Sequence, residues 1–388
     1  MRTLFWTLVG LVVVLLVGAF FVVGNPFAGT PSQKNPDDTF GSESIVVIED
    51  GLDYPDEPRA VHPGRVHVID LATQEATHMF DLPTVGRNRP VALLSDALFY
   101  FDLERLGLVE ATTDTLLPGT EVLEGRFGGY AAATERDGSP VVAYGRTRQV
   151  DSAFRAELVV ATKGDGWTSK TVWQSTGDAA LVAVPLAWAT DGETIFFGVR
   201  PVESANDAPF ASLMQLKVPR AGDSGITAEA SNVAFPADDT ALLGVSEDSN
   251  LAVFVESTQQ AEPSDETTPH PPTVFLVNLE SGETQSTIIP DAADITSVGF
   301  GDETAVLTGL DEDGEGLWLV QFGVSDATHQ NLNGSGAVVC SVEGSAAIIG
   351  FNGTQRGTWR VPLAGTGDSA RISQFVCTRS VSMPRSNP

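Results

Sequence analysis

The stretch VHVIDLATQEATHMFDL, from Val66 to Leu82, holds two short alternating apolar runs joined by a polar turn at Ala72 to Gln74. A period of two with β-branched residues bounded by turn formers reads as a β-hairpin. The same pattern returns in VFLVNLESGETQSTII, from Val274 to Ile289. Laid together without gaps, Asp70 and Leu71 fall on Asn278 and Leu279, and Glu75 falls on Glu283. Weaker copies begin at Leu106, Ala156, Leu213, Leu317 and Thr358. The three shortest intervals between copies are 40, 41 and 43 residues, close to the roughly 40 to 45 of a four-stranded blade. Each later copy follows another strand pair with a tight turn, as in the segments from Pro185, Leu242 and Ile295. Radial repetition of such hairpins predicts an all-β, seven-bladed β-propeller over residues 45–383.

Ring closure follows from the ends of that region. The first strand, IVVIED from Ile45, is followed by the first outer hairpin with no other strand pair before it, so the first blade lacks an innermost strand. QFVCTRS from Gln374 is similar to the inner strand AVVCSVE from Ala337, with Cys377 on Cys340. The C-terminal strand is therefore expected to pair into the N-terminal blade. The two cysteines would then lie on inner strands of neighbouring blades. A disulfide between Cys340 and Cys377 would add about 2 to 4 kcal/mol by restraining the unfolded chain; two buried free thiols are the alternative.

WATDGETIFF resembles the inner hairpin of TolB-like and WD40-like propellers, and VIDLATQE, VNLESGE and WRVPLAG resemble their outer hairpins. The resemblance covers about residues 45 to 380 by repeat style and implies an architecture. It assigns no activity, because that architecture serves scaffolds, receptors and several enzyme types. The Gly-His and Trp-Asp pairs of regular WD40 repeats are missing.

Before the repeats, Thr3 to Gly24 carries no charge, about the length that crosses a hydrocarbon core as a helix. With Arg2 and the amino terminus as the positive charge before it, the run over residues 1–24 is expected to be an uncleaved signal anchor, with a cleaved signal peptide as the alternative. The Pro-, Gly- and Ser-rich stretch 25–44 then reads as a flexible linker, with the bulk of the chain extracytoplasmic.

Fifty-one acidic against 22 basic residues give a formal charge of -29, which opposes binding to nucleic acid. Extra chain falls between the second and third strands of four blades: Asp50 to Arg65, Arg146 to Arg155, Arg200 to Ser212 and Glu256 to Thr273. These connections share one face in an up-and-down blade. Long loops on a rigid scaffold commonly carry binding.

Candidate chemistry is sparse. His67 and His78 are expected as cross-strand neighbours on one face, the start of a metal site, although a closed zinc site wants four ligands. Asp311, Asp313 and Glu315 resemble the opening of a calcium loop without its later ligands, and a hairpin turn explains them equally. The Gly-x-Ser-x-Gly elbow and the phosphate-binding Gly-Lys loop are absent. No catalytic or cofactor-binding residue is therefore assigned. Asn333-Gly-Ser and Asn352-Gly-Thr fit the glycan acceptor pattern, and turns also favour Asn-Gly. The reading is a membrane-anchored, non-catalytic binding or assembly module for a cell-envelope or surface protein. The alternatives are a propeller hydrolase or lyase using carboxylates or a metal at the central channel, and a small-ligand sensor.

Overall fold

The computed structural model describes residues 44–382, apart from 50–64, 82–88, 95–96, 103–104, 111–112, 117–130, 151–152, 176–180, 190, 202–209, 211, 220–229, 238–239, 247–249, 257–270, 302–303, 312 and 364–366. The chain divides into two units, Met1–Asp38 and Thr39–Pro388. All described residues belong to the second. The anchor over 1–24 and the linker up to Glu43 lie outside the described residues; Ser44 already begins the first strand. No helix among the described residues is long and apolar enough to cross a membrane.

The described strands make seven four-stranded antiparallel sheets. Sheet 1 runs Val376–Ser382, Ser44–Glu49, Arg65–Asp70, Glu75–Asp81, and sheet 2 runs Arg89–Leu93, Ala97–Asp102, Arg105–Glu110, Thr113–Leu116. Sheet 3 is Ala131–Arg136, Ser139–Val150, Ala153–Lys163, Trp167–Gln174; sheet 4 is Leu181–Trp188, Thr194–Pro201, Ser212–Lys217, Ser231–Val233. Sheet 5 is Thr240–Val245, Leu251–Glu256, Thr273–Asn278, Thr284–Ile288; sheet 6 is Ala292–Gly301, Thr304–Asp311, Glu315–Gln321, Thr328–Leu332. Sheet 7 is Ala337–Glu343, Ala346–Phe351, Gly357–Pro362, Ala370–Ser373. The first strands of successive sheets touch in sequence from sheet 1 to sheet 7, and sheet 7 touches sheet 1 again. This is a β-propeller.

Each of the seven repeat starts in the sequence falls in a third strand. The reason is local. Second strands have largely apolar centres where both faces are covered, as in AAIIGF of sheet 7, where every residue is buried. Third strands such as RVHVID and TVFLVN alternate, and fourth strands such as WTSKTVWQ hold no buried residue. The third-to-fourth turns repeat in detail: Asp70 Oδ1 accepts the Thr73 N–H at 2.8 Å, and Asn278 Oδ1 accepts the Ser281 N–H at 2.8 Å. Side chains of this length satisfy turn donors locally.

The core lies between sheets. Leu94 and Phe99 of sheet 2 pack on Val142 and Tyr144 of sheet 3, and Val253 and Leu276 of sheet 5 pack on Trp318 of sheet 6. Full burial of one such large side chain contributes about 1.5 to 3 kcal/mol. Hydrogen bonds also cross the seams: Trp188 Nε1 donates to the Ala132 carbonyl at 2.9 Å, and Thr308 Oγ1 donates to the Ala337 carbonyl at 3.1 Å. At Gly145 a Cβ would stand 1.7 Å from the Ala183 carbonyl oxygen of the next sheet. Only a bare α-carbon permits that approach.

Innermost strands bulge against their neighbours after Pro90, Pro185, Leu242, Ile295 and Val339. An unpaired bulge residue is re-aimed out of the sheet's alternation. In sheet 7 that residue is Cys340, and it is bonded to Cys377 on the innermost strand of sheet 1, with Cα atoms 6.1 Å apart. The same terminal strand pairs antiparallel with Ser44–Glu49. Buried Thr358 completes the seam: its hydroxyl donates to the Phe375 carbonyl at 2.7 Å and accepts the Cys377 N–H at 2.9 Å.

Candidate functional site

In an up-and-down blade the second-to-third connection and the crossover to the next sheet share one face. That face carries the long connections here: 50–64, 202–211 and 257–272 within sheets 1, 4 and 5, and the crossover 117–130. On the opposite face the first-to-second turns are short, such as 137–138 and 344–345, and 218–230 is its one long third-to-fourth connection among the described strand pairs. One elaborated connection has a different form from that expected. Arg146 to Arg155 is not a loop: Ser139–Val150 and Ala153–Lys163 continue through it as a paired hairpin, with Arg155 opposite Arg148. Strand residues Phe154 and Val150 supply enough β-propensity to extend the ladder.

The loop-bearing face is acidic by sequence. The 50–64 connection carries Asp50, Asp53, Asp56 and Glu57 against Arg59, and 257–272 carries Glu262, Asp265 and Glu266 with no Lys or Arg. These connections lie largely outside the described residues, and so does most of the predicted Glu256 to Thr273 arm.

Three described acids beneath this rim are paired. Glu49, at the end of its strand, accepts from His67 Nε2 at 2.7 Å and lies 3.9 Å from Arg65 Nη1. The His67 ring stacks on Phe375 at 4.8 Å between centroids. In sheet 6, Asp311 meets His329 Nε2 at 3.1 Å, and that ring stacks on Trp318 at 5.0 Å. In sheet 3, Arg146 and Glu157 are directly opposed across the ladder, 2.6 Å apart, with side chains 19% and 6% exposed. A pair this buried resists removal of either partner, because the survivor would be an uncompensated charge. Beside it, the Tyr144 hydroxyl is buried near Ser169 without a hydrogen bond of normal geometry. Burial pushes its pKa up, Arg146 and Ser169 oppose, and Glu157 adds to the rise. The phenol is therefore neutral across the physiological range.

The two histidines singled out in the sequence do not meet. The register set by Asp70 opposite Glu75 would, if continued, place His67 opposite His78. A bulge at Thr77 breaks it: His78 lies opposite Val68, and His67 lies opposite Met79. Successive residues point to opposite faces, so the imidazoles are on different sides of sheet 1. His78 Nδ1 bonds its neighbour Thr77 Oγ1 at 3.0 Å.

The calcium-loop candidates also separate. Asp311 Oδ1 accepts the N–H groups of Asp313 and Gly314 at 2.8 and 2.7 Å, which shapes the hairpin turn. Glu315 accepts the Gly336 N–H at 2.7 Å, tying sheet 6 to the crossover into sheet 7. Among the described residues no three His, Cys, Asp or Glu side chains gather as a metal-binding group. What sequence reading missed is this pairing of acids with ring-stacked histidines, since Glu49 and His67 are 18 residues apart and no local motif links them.

No protein-family model and no curated protein matches the sequence. Solved structures do. A structure from a study of two prolyl endopeptidases aligns at 12% identity with a TM-score of 0.53, over 87% of this chain and 50% of that one. An acylaminoacyl peptidase of Pyrococcus horikoshii aligns at 8% identity with a TM-score of 0.50, over 86% of this chain and 50% of that one. The chain thus spans about half the length of these peptidases, and at such identities the likeness is one of fold alone. A putative TolB from Agrobacterium tumefaciens aligns at 9% identity and a TM-score of 0.39, over 74% of this chain and 88% of that one.

Proposed function

We propose that this protein is a seven-bladed propeller anchored to the cell membrane by residues 1–24 through the linker 25–44, with its ring outside the cytoplasm. Its role is to dock a cell-envelope or surface protein without catalysis. The observation that carries this reading is the asymmetry of the connections: sheets 1, 4 and 5 place 50–64, 202–211 and 257–272 on one face. A rigid ring holding long loops at one end is a common plan for recognition. The local pairing of Glu49, Glu157 and Asp311 with His67, Arg146 and His329 supports it. Those groups brace the scaffold under the loops, leaving recognition to the loops themselves.

Mild crosslinking and affinity purification of the full-length protein from native membranes tests this reading. A stoichiometric protein partner that is lost when 257–270 is deleted, with the melting temperature of the ring kept, is the expected result. Recovery of the same partner with the deletion, or of none with the intact chain, overturns it.

A further inference from the structure

Two Asn-Gly steps lie side by side on the loop-bearing face. Asn333-Gly334 is in the crossover into sheet 7, and Asn352-Gly353 is in the second-to-third turn of that sheet. Both asparagines are exposed, and the following residues are near-equivalent, Gly-Ser and Gly-Thr. By sequence their amide chemistry should be the same.

The structure makes them unequal. The Gly353 N–H donates to the Ser335 carbonyl at 2.8 Å, and the Asn352 N–H donates to the Gly336 carbonyl at 3.1 Å. The Thr354 N–H donates to Ser335 Oγ at 2.8 Å, and the two hydroxyls of Ser335 and Thr354 stand 3.1 Å apart. Asn352 is thus held on both sides by a network, and the nitrogen that follows it is engaged as a donor. Gly334 donates no hydrogen bond to any described residue. Its α-carbon lies against buried Phe351, where a Cβ would come within 2.4 Å of the ring, so the residue after Asn333 has to be glycine, with no side chain to hinder attack.

We propose that Asn333 is a site of spontaneous deamidation and that Asn352 is protected from it. The Gly334 nitrogen loses its proton to solvent base and attacks Cγ of Asn333, forming an N–C bond. The Cγ–Nδ2 bond breaks, and ammonia leaves after taking a proton from solvent. One water then opens the succinimide to aspartate or isoaspartate. At Asn352 the same attack requires the Gly353 N–H to leave its acceptor first. The product at 333 is a new carboxylate three residues before Gly336, whose N–H holds Glu315, and it makes an acidic face more so.

The test is peptide mass spectrometry of the full-length chain after incubation in mildly alkaline buffer, native and fully denatured. The denatured chain, sampled once both sites have begun to convert, sets the intrinsic rates, which should agree. In the native chain Asn333 should gain one mass unit at least about tenfold faster than Asn352, the factor set by an opening free energy of roughly 1.4 kcal/mol. Asn333→Gln should abolish the gain in its own peptide and leave the Asn352 peptide unchanged. Equal native rates, faster conversion at Asn352, or an intact Asn333 while the denatured chain converts would each overturn the assignment.

Discussion

Breaking the bond between Cys340 and Cys377 is the perturbation that tests the ring's closure most directly. The cysteines are 37 residues apart, and a loop of that length restrains the unfolded chain by about 4 kcal/mol in the chain-entropy treatment. With roughly 2.1 cal/mol/K of unfolding entropy per residue, a ring of this size has about 0.7 kcal/mol/K at its midpoint. The bond should therefore raise the melting temperature by about 5 °C. Calorimetry would compare the oxidised chain, the chain reduced while unfolded and then refolded, and the double variant Cys340→Ala/Cys377→Ala. The reduced chain isolates the constraint, while the variant adds the lost packing of two buried sulfurs. A difference under about 1 °C between oxidised and reduced chains, or two titratable thiols in unreduced denatured protein, would refute the argument.

Thr358→Val keeps shape but leaves the buried Cys377 N–H without its acceptor; the expected loss is about 1 to 3 kcal/mol, read by denaturant unfolding, and an unchanged midpoint contradicts it. Gly145→Ala drives a methyl into the Ala183 carbonyl and should destabilise by about 1 to 3 kcal/mol or more, whereas Gly166→Ala, with open space around it, should be near neutral. For Asp191, burial disfavours the charge, but the N–H groups of Thr194 and Glu193, the Thr194 hydroxyl and Lys217 hold its pKa below the ordinary value of 3.8. A lowered folded-state pKa stabilises fully above that value and loses the contribution as pH falls through the folded pKa. The melting-temperature gap between wild type and Asp191→Ala should thus hold at pH above about 5 and shrink below about pH 4; a gap that widens in acid refutes the assignment.

Short-range physics made the hairpins legible in the chain. Alternation in VHVIDL and VFLVNL marks third strands, because one face of each meets the core and the other is half open. Asp70 and Asn278 announce their turns because a short polar side chain satisfies donors two and three residues ahead. The recurrence of such units, none able to cover its own apolar faces, points to stacking in a ring. Even the likeness of QFVCTRS to AVVCSVE is a local resemblance, and it identified the pair of strands that the disulfide joins.

Which side chains meet was decided by tertiary structure. One bulged residue, Thr77, moves His78 to the other side of sheet 1 from His67. Nothing in the composition around Thr77 marks that insertion, and a shift of one residue reverses every direction beyond it. Glu49 and His67, or Asp311 and His329, find each other only after separate strands are laid in register. The two Asn-Gly steps are alike as sequence, and the Gly353 N–H is held only because the crossover into sheet 7 lies against the turn that contains it. The chain determined its strands and their repetition, since these depend on neighbours a few residues away. Pairing, protection and the direction of each side chain came from contacts between distant segments, whose register no local pattern encodes.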